Sequence, residues 1–155
     1  FIAIVYQDEF EFWHCNYYEA TTDAGTYWLA HPMNKKGTAL LVPGQYMGAY
    51  RKGLHKGQYE ALVQSGVVRV YRDNNKDFIN DYNPNTIEEG LFGINIHRSN
   101  PIFESEDNAR WSAGCQVFKN PHEFDAFMAI VEKAIINYGN KFTYTLLNHT
   151  DFDEL

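Results

Sequence analysis

Short runs of alternating or β-branched and aromatic residues, each cut off within a few positions by Gly, Pro or Asn, constrain this chain most. Alternation puts successive side chains on opposite faces of a pleated strand, so each such run predicts a half-buried strand. Phe1–Tyr6 reads as one strand and the alternating Glu9–Trp13 as its hairpin partner. Thr26–Leu29, Thr38–Val42, Val67–Tyr71, Phe92–His97 and Phe142–Leu147 read as further strands, with Pro43-Gly44 as a turn. Aromatic residues make up 16% of the chain, mostly Tyr and Phe, and these favour pleated, half-buried surfaces. The expectation is a mainly β domain.

Two segments read differently. Tyr59–Gln64 is a candidate short helix. The stretch after Asn120 predicts one substantial helix: Asn120 as N-cap, Pro121 in the first turn, Glu123 completing a capping box, and Gly139 as the stop. Phe124, Phe127, Met128, Val131 and Ile135 recur at helical spacing and form one apolar face. A length of 155 residues without repeats or a long linker fits a single domain, residues 1–155, able to bury a core. The acidic end, Asp151 to Leu155, reads as frayed.

Composition excludes several classes. A formal net charge of -7 with no basic stripe argues against nucleic acid as a partner. No apolar run approaches the length of a membrane span, so no membrane insertion is expected. Cys15 and Cys115 are too few for a disulfide framework. His14, His31, His55 and His122 lack the spacing of metal ligands, and no metal or cofactor is expected. Asp73-Asn74-Asn75-Lys76-Asp77 resembles the start of a calcium loop. Phe78 stands where that loop wants Gly, and Pro84 stands where it wants Glu, which favours a plain polar turn. A monomer is the expectation.

The chemistry concentrates in Gly93-Ile94-Asn95-Ile96-His97-Arg98 and Trp111-Ser112-Ala113-Gly114-Cys115-Gln116-Val117-Phe118. A cysteine attacks as the thiolate and needs a base or a cation close by, most often histidine. His97 ends one strand and Cys115 opens the next, with a loop from Ser99 to Arg110 between them. Antiparallel pairing of those strands would set the two side by side. Gly114 lets the backbone turn its amides inward, and an amide there is a candidate oxyanion donor. Ser112 is a candidate partner within that turn or for the dyad. Asp73 is a candidate to orient the imidazole or to meet substrate. Arg110 and Arg98 bracket the loop as candidate carboxylate clamps, and Trp111, Tyr46 and Tyr50 are candidate cleft-lining aromatics.

A histidine, a gap of this size, and then Ser112-x-Gly114-Cys115 resembles the active-site signature of the L,D-transpeptidase (YkuD) family. The match is strongest from Gly90 to Phe118, and the whole pattern is similar to L,D-transpeptidase-like proteins of phages and their hosts. The resemblance implies a small β-rich sandwich carrying one C-terminal-half helix, Cys115 as nucleophile, His97 as base, and the Arg98 carbonyl as the group that orients the ring. It implies peptidoglycan stem peptides as substrate, a thioester intermediate, no cofactor, and a cell-wall-facing or phage-released setting. Family members place a second histidine where Ala113 stands, an Arg or Asn soon after the cysteine, and Gly where Arg98 stands. The reaction core is thus retained while the donor-binding surroundings differ. Transpeptidation and hydrolysis both stay open, as does a non-catalytic wall-binding or virion module.

Overall fold

The computed structural model describes residues 1–107 and 110–153. It is mainly β, with one substantial helix in the C-terminal half. Strands β1 (Ile2–Gln7) and β2 (Trp13–Tyr18) form an antiparallel hairpin, in which Val5 faces Cys15. The partner strand begins where the alternating run Glu9–Trp13 ends. Glu9 to Phe12 instead make the turn, which is held by Asp8: its carboxylate accepts the N–H groups of Phe10 and Phe12.

β3 (Ala20–Thr21) is followed by a short helix, α1 (Thr26–Ala30), where the sequence predicts a strand. Leu29 fills a small secondary core with Ala24 and Leu40, and that packing overrides the strand preference of Thr26, Tyr27 and Trp28. β4 (Thr38–Leu41) pairs with β7 (Val68–Asp73), and β7 pairs with β8 (Glu88–Gly90), giving a three-stranded sheet. β5 (Gly44–His55) runs for twelve residues through three glycines and begins at the residue read from sequence as a turn.

The larger sheet has the order β11–β5–β6–β9–β10–β3, with β6 (Tyr59–Gln64), β9 (Ile96–Arg98), β10 (Gln116–Phe118) and β11 (Phe142–Leu146). β6 replaces the short helix expected there. It sits between β5 and β9, and ladder pairing on both sides outweighs the helix preference of Glu60, Ala61, Leu62 and Gln64.

The long helix α2 (Pro121–Tyr138) follows its sequence signals. The Asn120 side chain accepts from the His122 and Glu123 amides, and Gly139 ends the helix at φ 85°. The Glu123 carboxylate does not close a capping box but accepts the Glu19 N–H at 3.3 Å, tying the helix start to the edge strand. Phe124, Phe127, Met128 and Val131 enter the main core with Ile2 and Tyr18 of the hairpin, Leu41, Val68 and Val70 of the small sheet, and Tyr50, Leu62, Ile96 and Phe118 of the large one. At the chain end, His149–Phe152 form one 3-10 turn with a capping box between Asn148 and Asp151, so the frayed reading fails as far as Asp153. Among the described residues no helix is long and apolar enough to cross a membrane.

Candidate active site

β9 and β10 are parallel, not antiparallel, with Gln116 opposite Ile96, Val117 opposite His97 and Phe118 opposite Arg98. The connection makes this possible: parallel neighbours need a crossover of about a dozen residues or more, and residues 99–115 supply one. It is pinned back to the sheet by the Ser99 and Ser105 amides, which donate to Phe118 and Lys119, and by Lys119 Nζ, which bridges Glu19 and Glu104. Asn108 and Ala109 of this loop lie outside the described residues.

The parallel register places the two groups on one sheet face, with no hydrogen bond between them. Cys115 precedes Val117 by two positions and therefore shares its face, which is also the face of His97. Strand spacing and rise put the α-carbons of His97 and Cys115 about 8 Å apart, a gap that an imidazole and a thiol can close between them.

His97 is buried, and its Nδ1 lies 2.7 Å from the Arg98 carbonyl. A carbonyl only accepts, so the neutral ring carries its proton on Nδ1 and leaves a lone pair on Nε2. That Nε2 is buried and meets no hydrogen-bond partner among the described residues. The Tyr59 hydroxyl donates to the same carbonyl at 3.2 Å, and the Arg98 guanidinium lies over the Tyr59 ring at 4.1 Å. Arg98 therefore orients the imidazole with its backbone while its side chain is stacked.

His55, at the end of β5, stacks on His97 with ring centroids 4.0 Å apart. Its Nδ1 sits 3.0 Å from Asn95 Nδ2, and Asn95 Oδ1 accepts the Gln64 N–H at 2.9 Å. The backbone donor fixes the Asn95 amide, so the amide nitrogen must donate to His55, whose proton then resides on Nε2. Burial pushes His97 down to about 4, with the neighbouring His55 and Lys56 adding to the effect and the Arg98 carbonyl opposing it. Burial, then Lys56, lowers His55 to about 4 as well. Two stacked imidazoles in a dry site stay neutral together.

Cys115 lies just before β10, half-buried, at the end of a tight turn. Ser112 shapes that turn: its hydroxyl donates to the Cys115 carbonyl at 2.7 Å and accepts the Gly114 N–H at 3.1 Å. Ser112 is fully buried and thus builds the turn rather than meeting substrate. The Gly114 amide is likewise spent on Ser112, which removes it as an oxyanion donor. The Cys115 amide has no acceptor among the described residues. Gly114 is required for another reason: at φ +116° a Cβ would stand 2.1 Å from the Ala39 carbonyl of β4. The Cys115 sulfur receives the Asn95 N–H at 3.4 Å and faces the Gly93 carbonyl at 3.5 Å. Burial raises the thiol pKa, opposed by the Asn95 N–H and by Lys56. The resting pair is thiol and neutral imidazole.

The remaining sequence candidates divide. Trp111 is 40% exposed next to the turn, and Arg110 stacks its guanidinium on Tyr27 at 4.7 Å while its carbonyl accepts the Trp28 indole N–H. Tyr46 is a core residue whose hydroxyl donates to Val42, so it lines no cleft. Tyr50 is wholly buried. Asp73 ends β7 and accepts the Asp81 N–H, and among the described residues it shares no hydrogen bond with His97. Two clefts of the surface lie elsewhere, one along β3, β10 and residues 105–107, the other between β1, α2 and β11.

His55, Tyr59 and Asn95 were not singled out from sequence as partners of the dyad. Their only sequence signal is parity within strands, and Tyr59 was hidden by the helix reading of β6. Compared with protein-family models, with curated proteins and with solved structures, the chain matches none of them.

Proposed function

We propose that this chain is a cysteine-nucleophile acyl-transfer enzyme of L,D-transpeptidase type acting on peptidoglycan stem peptides. One observation carries the reading: a buried, unpartnered Nε2 lone pair on a histidine whose other nitrogen is tied to a carbonyl, on the same sheet face as a cysteine at a glycine turn. A surface or core histidine has no need of a buried unsatisfied nitrogen, which costs free energy, whereas a general base does.

In this reading His97 Nε2 takes the Cys115 thiol proton as the sulfur attacks the peptide carbonyl. The Asn95 N–H already directed at the sulfur steadies the developing thiolate, and the Cys115 amide meets the oxyanion. The protonated His97 gives its proton to the departing amine, leaving a thioester on Cys115. An amine or water then attacks the thioester, and the thiolate leaves and recovers its proton. The imidazolium formed midway is held by the Arg98 carbonyl on Nδ1. The stem peptide as substrate rests on the Ser112-x-Gly114-Cys115 resemblance alone.

The raised Cys115 thiol, and two surface clefts that leave Cys115 out of their lining, favour a second reading as a non-catalytic wall-binding or virion-associated module. Purified muropeptides incubated with the protein and read by mass spectrometry separate the two. The enzyme reading expects a released amine or a cross-linked product, with a carbapenem adduct on Cys115. Unchanged muropeptides together with an unmodified Cys115 overturn it.

A further inference from the structure

β1 and β2 form a two-stranded sheet with two unequal faces. The register pairs Ile2 with Tyr18 and Ile4 with Asn16, and on this side Ile2 and Tyr18 enter the main core with Ile4 packed against it. The opposite face carries Ala3, Val5 and Gln7 of β1 beside Tyr17, Cys15 and Trp13 of β2. All six are exposed, Val5 at 61%, Trp13 at 72% and Tyr17 at 71%. A two-stranded hairpin is marginal by itself, and large apolar side chains gathered on its free face mark a contact surface.

The size of the face fits a small interface. A whole aromatic side chain offers about 150–250 Å². At these exposures Trp13, Tyr17 and Val5, with the smaller Ala3, Cys15 and Gln7, present roughly 500–600 Å². Two such faces together cover roughly 1,000–1,200 Å², the lower limit for a specific protein contact.

Charge and hydrogen bonding narrow the occupant. The face holds no Asp, Glu, Lys, Arg or His. The charged residues at the tip of the hairpin, Asp8, Glu9 and Glu11, are acidic and would repel an anionic lipid surface. A sugar needs polar partners beside the rings, and the one amide here is spent: Gln7 Nε2 donates to the Glu11 carbonyl at 2.8 Å. An uncharged apolar face is matched by its own copy, and the register makes it self-complementary. The pair Val5–Cys15 lies at the middle, with Ala3–Tyr17 on one side and Gln7–Trp13 on the other. A two-fold axis between two such faces, running across the strands at this pair, sets Trp13 over Tyr17 of the partner subunit. It also sets Val5 over Val5 of the partner subunit, and Cys15 over Cys15 of the partner subunit.

We propose that the outer face of the β1–β2 hairpin joins two copies of this chain in a reversible two-fold dimer. An interface at the lower size limit gives a Kd of about 10–100 μM. Stacked sheets lie about 10 Å apart, beyond the roughly 7 Å that a disulfide spans between α-carbons, so the two Cys15 residues meet without bridging.

Sedimentation velocity of the reduced full chain from about 1 to 200 μM tests the proposal. The average mass should rise from one chain toward two across that range. Bis-maleimidoethane should cross-link the dimer through Cys15, and Cys15→Ser should lose the cross-link while keeping the concentration-dependent mass. Val5→Arg sets two like charges face to face and should weaken association at least about tenfold. If that variant does not fold, Tyr17→Glu, at another exposed position of the face, serves in its place. A single-chain mass up to about 200 μM, the state expected from sequence, overturns the proposal. So does a dimer that the folded Val5→Arg variant leaves intact, or a cross-link that survives Cys15→Ser. A single chain that binds chitooligosaccharide or phosphatidylglycerol vesicles, with the binding lost in Val5→Arg, gives the face to another occupant and likewise overturns it.

Discussion

The two cysteines of this chain sit in opposite circumstances. Cys15 is exposed in the middle of β2, opposite Val5, and the histidine beside it in sequence is turned away: His14 Nε2 lies 2.7 Å from the Asp8 carboxylate and its ring stacks on Tyr6. Cys115 is half-buried, eighteen positions from His97, and shares a sheet face with it. A backbone N–H points at its sulfur, and a serine-built turn holds its amide free. Accessibility and adjacency to histidine both favour Cys15, yet the features on which the proposed nucleophile rests are gathered around Cys115. What distinguishes them is the surrounding main chain and a histidine with a fixed tautomer on the same sheet face, not exposure.

The largest effect expected tests that contrast directly. Cys115→Ala should abolish muropeptide turnover, by at least about 10⁴-fold, while Cys15→Ala stays within about twofold. Equal losses in both variants would erase the distinction. His97→Gln should lower kcat/KM by about 10²–10⁴-fold, because an amide cannot accept the thiol proton as a base. Stopped assays on the same fragments read this loss.

The acid limb sharpens the account of the stacked imidazoles. Folded, His97 and His55 titrate at about 4; unfolded, at 6.5. The unfolded chain therefore binds more protons between these values. The stabilising contribution is complete above pH 6.5 and is lost as pH falls through about 4, a decline on the order of 5 kcal/mol for the pair. Urea melts from pH 7 to pH 4 measure it, and stability flat across that window would show that the two rings are not buried together. The smallest expected effect concerns the turn: Gly114→Ala should cost about 3 kcal/mol, since it combines an unfavourable φ with a clash on the Ala39 carbonyl. A chemical melt of this variant reads the cost.

How much was legible in the sequence varied with how local the deciding forces are. α2 was readable end to end because Asn120, Pro121 and Gly139 act within a turn of themselves. β6 was not, because Glu60, Ala61, Leu62 and Gln64 favour helix and only pairing with β5 and β9 makes them a strand. α1 reversed the error, with strand-favouring Thr26, Tyr27 and Trp28 bent into a helix so that Leu29 is buried. At the site, Cys115, His97 and the Gly114 turn stood out by residue type and spacing. The parallel register of β9 and β10 did not, since it depends on the path of residues 99–115. Nor did His55, which reaches His97 only through the combined registers of β5, β6 and β9.

The absent side chain at Gly114 has a mechanical consequence. Its α-carbon rests directly against the Ala39 carbonyl, so the three-stranded sheet and the six-stranded sheet touch at the residue that carries the sulfur's turn. A slip of one sheet over the other would therefore bear on the turn that precedes Cys115. Tuning of the thiol's reach is therefore available from β4, through substitutions around Ala39 that shift this bearing point while leaving every group of the dyad untouched.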